Sequence, residues 1–165
     1  MCSSDLLRPT GRVTAGNACP LNDGAAAVVV MSDTKAKALG LTPLARIVSS
    51  GVSGLNPEIM GLGPVEASRR ALALAGMTID DVDLVEINEA FAAQVLPSAR
   101  ALGISEDKLN VNGGAIALGH PFGMTGARIM GTLLNGLEDS GGTVGLETMC
   151  VGGGQGMAMI VERLA

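Results

Sequence analysis

The sequence predicts an α/β fold in which helices and sheet are tightly layered, and three observations predict it. Segments with helical spacing alternate with short apolar runs of strand length. The last two such runs are apolar on both faces, as in strands buried between layers. Aromatic residues make up only 1% of the chain, so the core volume must come from Leu, Val, Ile, Ala and nine Met, with 24 Gly letting elements approach closely. At 165 residues, with 47% hydrophobic content and a mean hydropathy of +0.41, the chain is long enough for one globular domain with its own core.

The elements follow in order. Residues 11–31 read as two extended pieces around the turn Cys19-Pro20-Leu21-Asn22-Asp23-Gly24. Ser32 caps a short helix through Leu39, closed by Gly40. Residues 44–48 form a strand, and residues 51–63 a glycine-rich loop. Pro64 starts a helix running to Ala75, with Gly76 as its left-handed terminator. Residues 83–87 form a strand, and a helix beginning at Asn88 and Glu89 follows directly. Such a strand-to-helix junction is a usual place for chemistry in α/β folds. Residues 112–121 are an irregular glycine-rich segment. Met124, Ala127, Met130, Leu133, Leu134 and Leu137 then recur at helical spacing. Residues 143–149 and 156–162 are the final buried strands, joined by Cys150-Val151-Gly152-Gly153-Gly154-Gln155.

Composition excludes several functions. A formal charge of -5, only 11 Lys+Arg and the absence of Trp and Tyr leave neither a basic stripe nor stacking platforms, so no nucleic-acid partner is expected. Apolar stretches are interrupted well before the roughly 18 residues of a membrane span, and no basic region precedes an apolar block at the N-terminus. A cytoplasmic protein with no membrane association is expected. The three cysteines, Cys2, Cys19 and Cys150, lack the close pairing of a metal site, and no metal is expected. Residues 1–6, Met-Cys-Ser-Ser-Asp-Leu, are what GTG TGC TCT TCC GAT CT encodes when GTG is read as a start, a string matching the end of a common sequencing adapter. They are expected to be non-native, so that an upstream part of the gene is absent.

Three positions combine a reactive side chain with a backbone setting that exposes it. The single histidine, His120, lies between Gly119 and Pro121 at the end of a glycine-rich loop. Cys150 precedes three glycines, whose N–H groups can approach a ligand oxygen. Asn88 follows a strand. Each has a bland reading, as a structural His, a small buried thiol or a helix cap.

Taken together, Asn88-Glu89-Ala90-Phe91, Gly119-His120-Pro121 and Cys150-Val151-Gly152-Gly153-Gly154, with Asn88, His120 and Cys150 spaced 32 and then 30 residues apart, resemble the thiolases. The resemblance covers the chain from about Leu7 onward. It implies that His120 activates the family's nucleophilic cysteine and donates to a thioester oxygen. Asn88 resembles the residue holding the water that completes that oxyanion hole. Cys150 is similar to the acid/base cysteine, and Gly152 N–H to the donor of a second hole. Met60 and Phe91 resemble pocket-lining residues, and Cys19 occupies the place of the family's usual Ser, which contacts the pantetheine arm.

Condensing or cleaving a 3-ketoacyl thioester passes through a carbanion, which needs aimed donors worth about 10²- to 10³-fold each. It also needs a proton carrier worth about 10²- to 10⁴-fold and a covalent nucleophile to hold the acyl group. No segment corresponding to the family's nucleophile-bearing one is found in this sequence, and Cys19, followed by Pro20, is a poor substitute. The chain alone is therefore expected to be inactive. The resemblance implies thiolytic cleavage of 3-ketoacyl-CoA to acetyl-CoA in fatty-acid β-oxidation. The alternatives are acetoacetyl-CoA formation and, from another class, a non-catalytic partner subunit. Ketoacyl synthases use two histidines, or a histidine and an asparagine, in other motifs. Dinucleotide binding fails because Gly61-Leu62-Gly63-Pro64 lacks a third glycine.

The same resemblance implies the C-terminal half of a layered αβαβα fold, a mixed β-sheet with helices on both faces. Residues 1–42 would be the tail of an N-terminal domain and residues 43–165 the C-terminal domain. Acyl-CoA and coenzyme A are the implied partners, with no other cofactor, and the full-length protein is expected to be a homodimer or homotetramer.

Overall fold

The structure is a computed structural model that describes residues 10–165. Cys2 and the expected non-native residues 1–6 lie outside the described residues. A mixed four-stranded sheet carries the fold. Strands β1 (Ala45–Gly54), β2 (Leu84–Ile87), β3 (Val144–Val151) and β4 (Gln155–Arg163) lie in the order β1-β4-β3-β2. β4 runs antiparallel to β1 and β3, whereas β2 and β3 are parallel. Parallel neighbours need a crossover, and α3 (Ala92–Leu102), α4 (Ala115–Leu118) and α5 (Thr125–Ser140) provide it.

Helices cover both faces, as expected. α2 (Gly63–Ala75) and α3 cover one, where Ala71, Leu72, Val95 and Ala99 pack on Val85, Leu146 and Ile160. α5 covers the other, where Leu133 and Leu137 meet Leu84 and Val161. Alternation along β2 divides the two, because Leu84 and Val85 point to opposite sides. The helix ends obey local chemistry. Ser32 Oγ accepts from Lys35 N at 3.2 Å to cap α1 (Asp33–Ala38). Pro64 opens α2, and Gly76, with φ of 68°, closes it. Among the described residues no helix is long and apolar enough to cross a membrane.

The structure corrects three expectations. β1 does not stop at Val48 but continues to Gly54, because Gly51 and Ser53 face α2. A Cβ at Gly51 would run into the Ala67 carbonyl, so the glycine marks close packing of helix on strand rather than a loop. The helix expected from Asn88 begins at Ala92. Asn88 N–H instead donates to Thr148 O at 3.0 Å, and Glu89 Oε1 accepts from Asn110 Nδ2 at 2.8 Å, so both residues are held by the sheet edge and its loops. Finally, residues 19–31 form no strand among the described residues. Ala18 makes a lone bridge with Phe91, and Val28, Val29 and Val30 remain 50, 85 and 71% exposed, with no strand edge beside them.

Candidate active site

Because β2 and β3 are parallel, both end at one edge of the sheet. Asn88 is the first residue past β2 and is 1% exposed. Cys150 lies near the end of β3, just beyond Thr148, the residue that accepts from Asn88 N–H. The turn of residues 152–154 follows.

His120 enters from the loop between α4 and α5, and three groups fix it. Its N–H donates to Asn22 Oδ1 at 3.1 Å. Its Nδ1 is 2.7 Å from Thr125 Oγ1, which itself donates to Pro121 O at 3.1 Å. With the hydroxyl hydrogen committed to that carbonyl, the oxygen faces Nδ1 as an acceptor. This hydrogen-bond pattern assigns the ring hydrogen to Nδ1 and leaves the lone pair on Nε2. Asn88 Nδ2 donates to Nε2 at 3.2 Å. Burial, helped by the charge of Arg128, holds the imidazole below its ordinary range. Nε2 can therefore accept a proton at neutral pH. The Phe122 ring stands edge-on to the imidazole, with centroids 4.9 Å apart.

Cys150 is 6% exposed, and burial pushes its thiol up, with the charge of the nearby Cys19 adding to the effect. It is thus a protonated thiol at neutral pH, able to donate. Cys19 is also pushed up by burial, and its N–H donates to Ala90 O at 3.0 Å, so it runs beside the segment that carries Asn88 and Phe91. Both cysteines are free thiols.

The remaining expected positions lie on neighbouring loops and turns. Gly152 is exposed in its turn, where its carbonyl accepts from Gln155 Nε2 at 3.0 Å. Met60 belongs to a 3-10 turn, Pro57–Leu62, fastened to α3 by Ser98 Oγ donating to Gly61 O at 3.2 Å. Phe91 is half-buried at the head of α3. An open groove of about 410 Å³ is lined by Leu21, Asn22, Asp23, His120, Pro121 and Phe122. Of the expected site residues, only His120 lines it.

Sequence reading missed Thr125 and Asn22. Thr125 could have been found as a hydroxyl in the first turn of the helix after His120. Asn22 is 98 positions from His120 and carries no local signal.

Residues 41–163 match the family model for the thiolase C-terminal domain, and residues 5–34 match that for the thiolase N-terminal domain. The chain is 57% identical over 162 residues to an acetyl-CoA acetyltransferase of Escherichia coli, covering 96% of this chain and 41% of that protein. It is 59% identical over 166 residues to a 3-ketoacyl-CoA thiolase of Alcanivorax borkumensis, covering 96% of this chain and 42% of that one. The crystal structure of Bacillus anthracis acetyl-CoA acetyltransferase superposes with a TM-score of 0.95 at 50% identity, over 98% of this chain and 41% of that chain. Human mitochondrial 3-ketoacyl-CoA thiolase in complex with CoA superposes with a TM-score of 0.91 at 48% identity, again over 98% and 41%. The chain thus spans about two fifths of the length of these relatives.

Proposed function

Because the chain belongs to the thiolase family, we propose that it carries the proton-transfer part of a thiolase site and acts in acyl exchange between a 3-ketoacyl-CoA and coenzyme A. The observation that carries this reading is the neutral His120, whose Nε2 lone pair is presented while Thr125 holds Nδ1. In thiolysis, Nε2 removes the proton from a nucleophilic cysteine, which attacks the 3-keto carbon. As the C–C bond breaks, the Cys150 thiol gives its proton to the carbanion of the departing acetyl-CoA. Cys150 then takes the proton of coenzyme A, whose sulfur releases the acyl group. Asn88 holds the water that, with His120, completes one oxyanion hole, and Gly152 N–H donates in a second. Cys19, Met60 and Phe91 contact the pantetheine arm and the thioester.

The acyl-accepting cysteine is not among the roles we assign to Cys19 or Cys150. The reaction runs in the degradative direction, in the cytoplasm, with coenzyme A thioesters as substrates and no other cofactor. Residues 43–165 act as the C-terminal domain and residues 1–42 as the tail of the N-terminal one, within a homodimer or homotetramer.

Complementation tests the reading. The chain alone is expected to give no thiolysis of acetoacetyl-CoA above buffer, whereas the chain fused to the N-terminal segment of a close relative turns over. His120→Ala and Cys150→Ala should each lower kcat of the fusion by at least about 10²-fold. Undiminished turnover in either variant removes the proposed roles.

A further inference from the structure

Beneath α5 lies a group of charges that the reaction above does not use. Glu86 on β2 and Glu147 on β3 are direct partners in the parallel register. Both point to the face covered by α5, the face that also receives Leu84 and Met159, the latter paired with Glu147. The side chain of Glu86 is 4% exposed and that of Arg128, on α5, 16%. Arg128 Nη1 is 3.8 Å from Glu86 Oε2, too far for a hydrogen bond. Among the described residues, none of the three guanidinium nitrogens has a hydrogen-bond partner, nor does Glu147 Oε2. Arg128 also sits one helical turn after Thr125, the residue that holds His120 Nδ1, and so shares its face of α5.

We propose that Glu86, Glu147 and Arg128 form a buried charge-setting cluster in which the adjacent carboxyl groups do not both ionise, so that part of the Arg128 charge stays uncompensated and helps keep His120 Nε2 unprotonated. Arg128 is in this sense a positioning residue for the proton acceptor. The inference rests on the thiolase reading for its role in catalysis, though not for its electrostatics.

The surroundings support it. Two carboxylates side by side in a core cannot both ionise against a single cation. Burial raises Glu86 to about 7 despite Arg128, with the Glu89 charge adding to the rise. Burial and the Glu86 charge raise Glu147 to about 8. The next strand in the row, β4, presents Met159 opposite Glu147, and its cation, Arg163, lies four residues further along the strand, where it donates to the Gly142 carbonyl. The acids further along α5, Glu138 and Asp139, are exposed to solvent. Arg128 is therefore only partly balanced when His120 must be neutral, and its charge lowers the imidazole further. A purely structural site would be at least as stable with apolar residues in these places.

His120 is the only histidine in the chain, so its imidazole signals can be followed by NMR without assignment ambiguity and with no acyl-CoA present. In the 165-residue chain two glutamate carboxyl carbons are expected to titrate near 7 and 8. Arg128→Gln should shift the His120 midpoint upward, and Arg128→Lys, which restores the charge, should return it towards the wild-type value. Glu147→Gln should leave one raised carboxyl step, at lower pH than in the pair. An unmoved midpoint in folded Arg128→Gln overturns the proposal, as does Arg128→Lys shifting it as far as Arg128→Gln. Should Arg128→Gln fail to fold, the wild-type carboxyl titration decides, because both carboxyls titrating in the ordinary carboxylate range is incompatible with the cluster. Failure of the thiolase reading registers instead as absent turnover in the fusion, with these titrations unchanged.

Discussion

The two faces of the sheet are built from alternate residues of the same strands, yet they differ in kind. Towards α2 and α3, β2 presents Val85 and Ile87, and β3 presents Leu146, into a continuous apolar core. Towards α5, the same strands present Glu86 and Glu147. The first face satisfies itself by packing, where every methylene removed from water counts. The second holds two buried carboxyl groups and a guanidinium, and among the described residues Glu147 Oε2 and the three guanidinium nitrogens have no hydrogen-bond partner, an arrangement that burial disfavours. One side of the layer is thus purely apolar around Val85, Ile87 and Leu146, whereas the other combines an apolar patch under α5 with buried charge, one residue apart along each strand.

The largest effect that sharpens this contrast is on the apolar side. Leu146, 0% exposed, touches that core, and Leu146→Ala is expected to lower unfolding free energy by about 2–5 kcal/mol. Urea titration measures the loss, while the His120 midpoint stays where it was. A shifted midpoint in the folded variant would mean that the faces are not independent.

The next effect lies on the charged side and depends on pH. Glu86 and Glu147 hold their protons more tightly when folded than when unfolded, where the ordinary value is 4.5. Their contribution is therefore fully present below about pH 4.5 and is lost as pH rises through about 7 and about 8. In that window the unfolded chain has already released both protons. Each group should lower stability by up to about 1.4 kcal/mol per pH unit, as seen in urea midpoints taken across the range. Glu147→Gln should remove one group's share of the slope. His120 acts in the opposite sense at lower pH, since its stabilisation is lost as pH falls through its depressed value.

The smallest effect concerns a single hydrogen bond. Thr125→Val removes the acceptor at Nδ1 with little change of shape, and stability should fall by only about 0.5–1.5 kcal/mol. The informative readout is nitrogen NMR of the imidazole, where the hydrogen should no longer reside solely on Nδ1. An unchanged tautomer would show that Thr125 does not orient the ring.

Legibility in the sequence followed the range of the forces involved. α2 could be delimited because Pro64 and Gly76 punctuate it locally, and α5 because its buried stripe repeats at helical spacing. His120 stood out as a lone histidine in a glycine-rich loop, and Asn88 and Cys150 through the ordered motifs around them. What stayed hidden depends on register and packing. Gly51 looked like a loop residue because its reason for being glycine is a helix carbonyl from a later segment. Glu86 and Glu147 look like ordinary strand charges until parallel pairing sets them side by side. Asn88 resembles a helix cap because the acceptor of its N–H, Thr148 O, belongs to a strand far along the chain.

The parallel pairing of β2 with β3 also sets a timetable. β2 cannot find its neighbour until the chain has been synthesised through Val144–Val151, with three helices in between. Contacts so distant in sequence form late, after local helices are in place. During synthesis Glu86 therefore waits in solvent, fully ionised, and takes up its proton only when β3 arrives. Completion of the sheet should then be accompanied by proton uptake, so refolding in weakly buffered solution above about pH 5 should make the solution more alkaline.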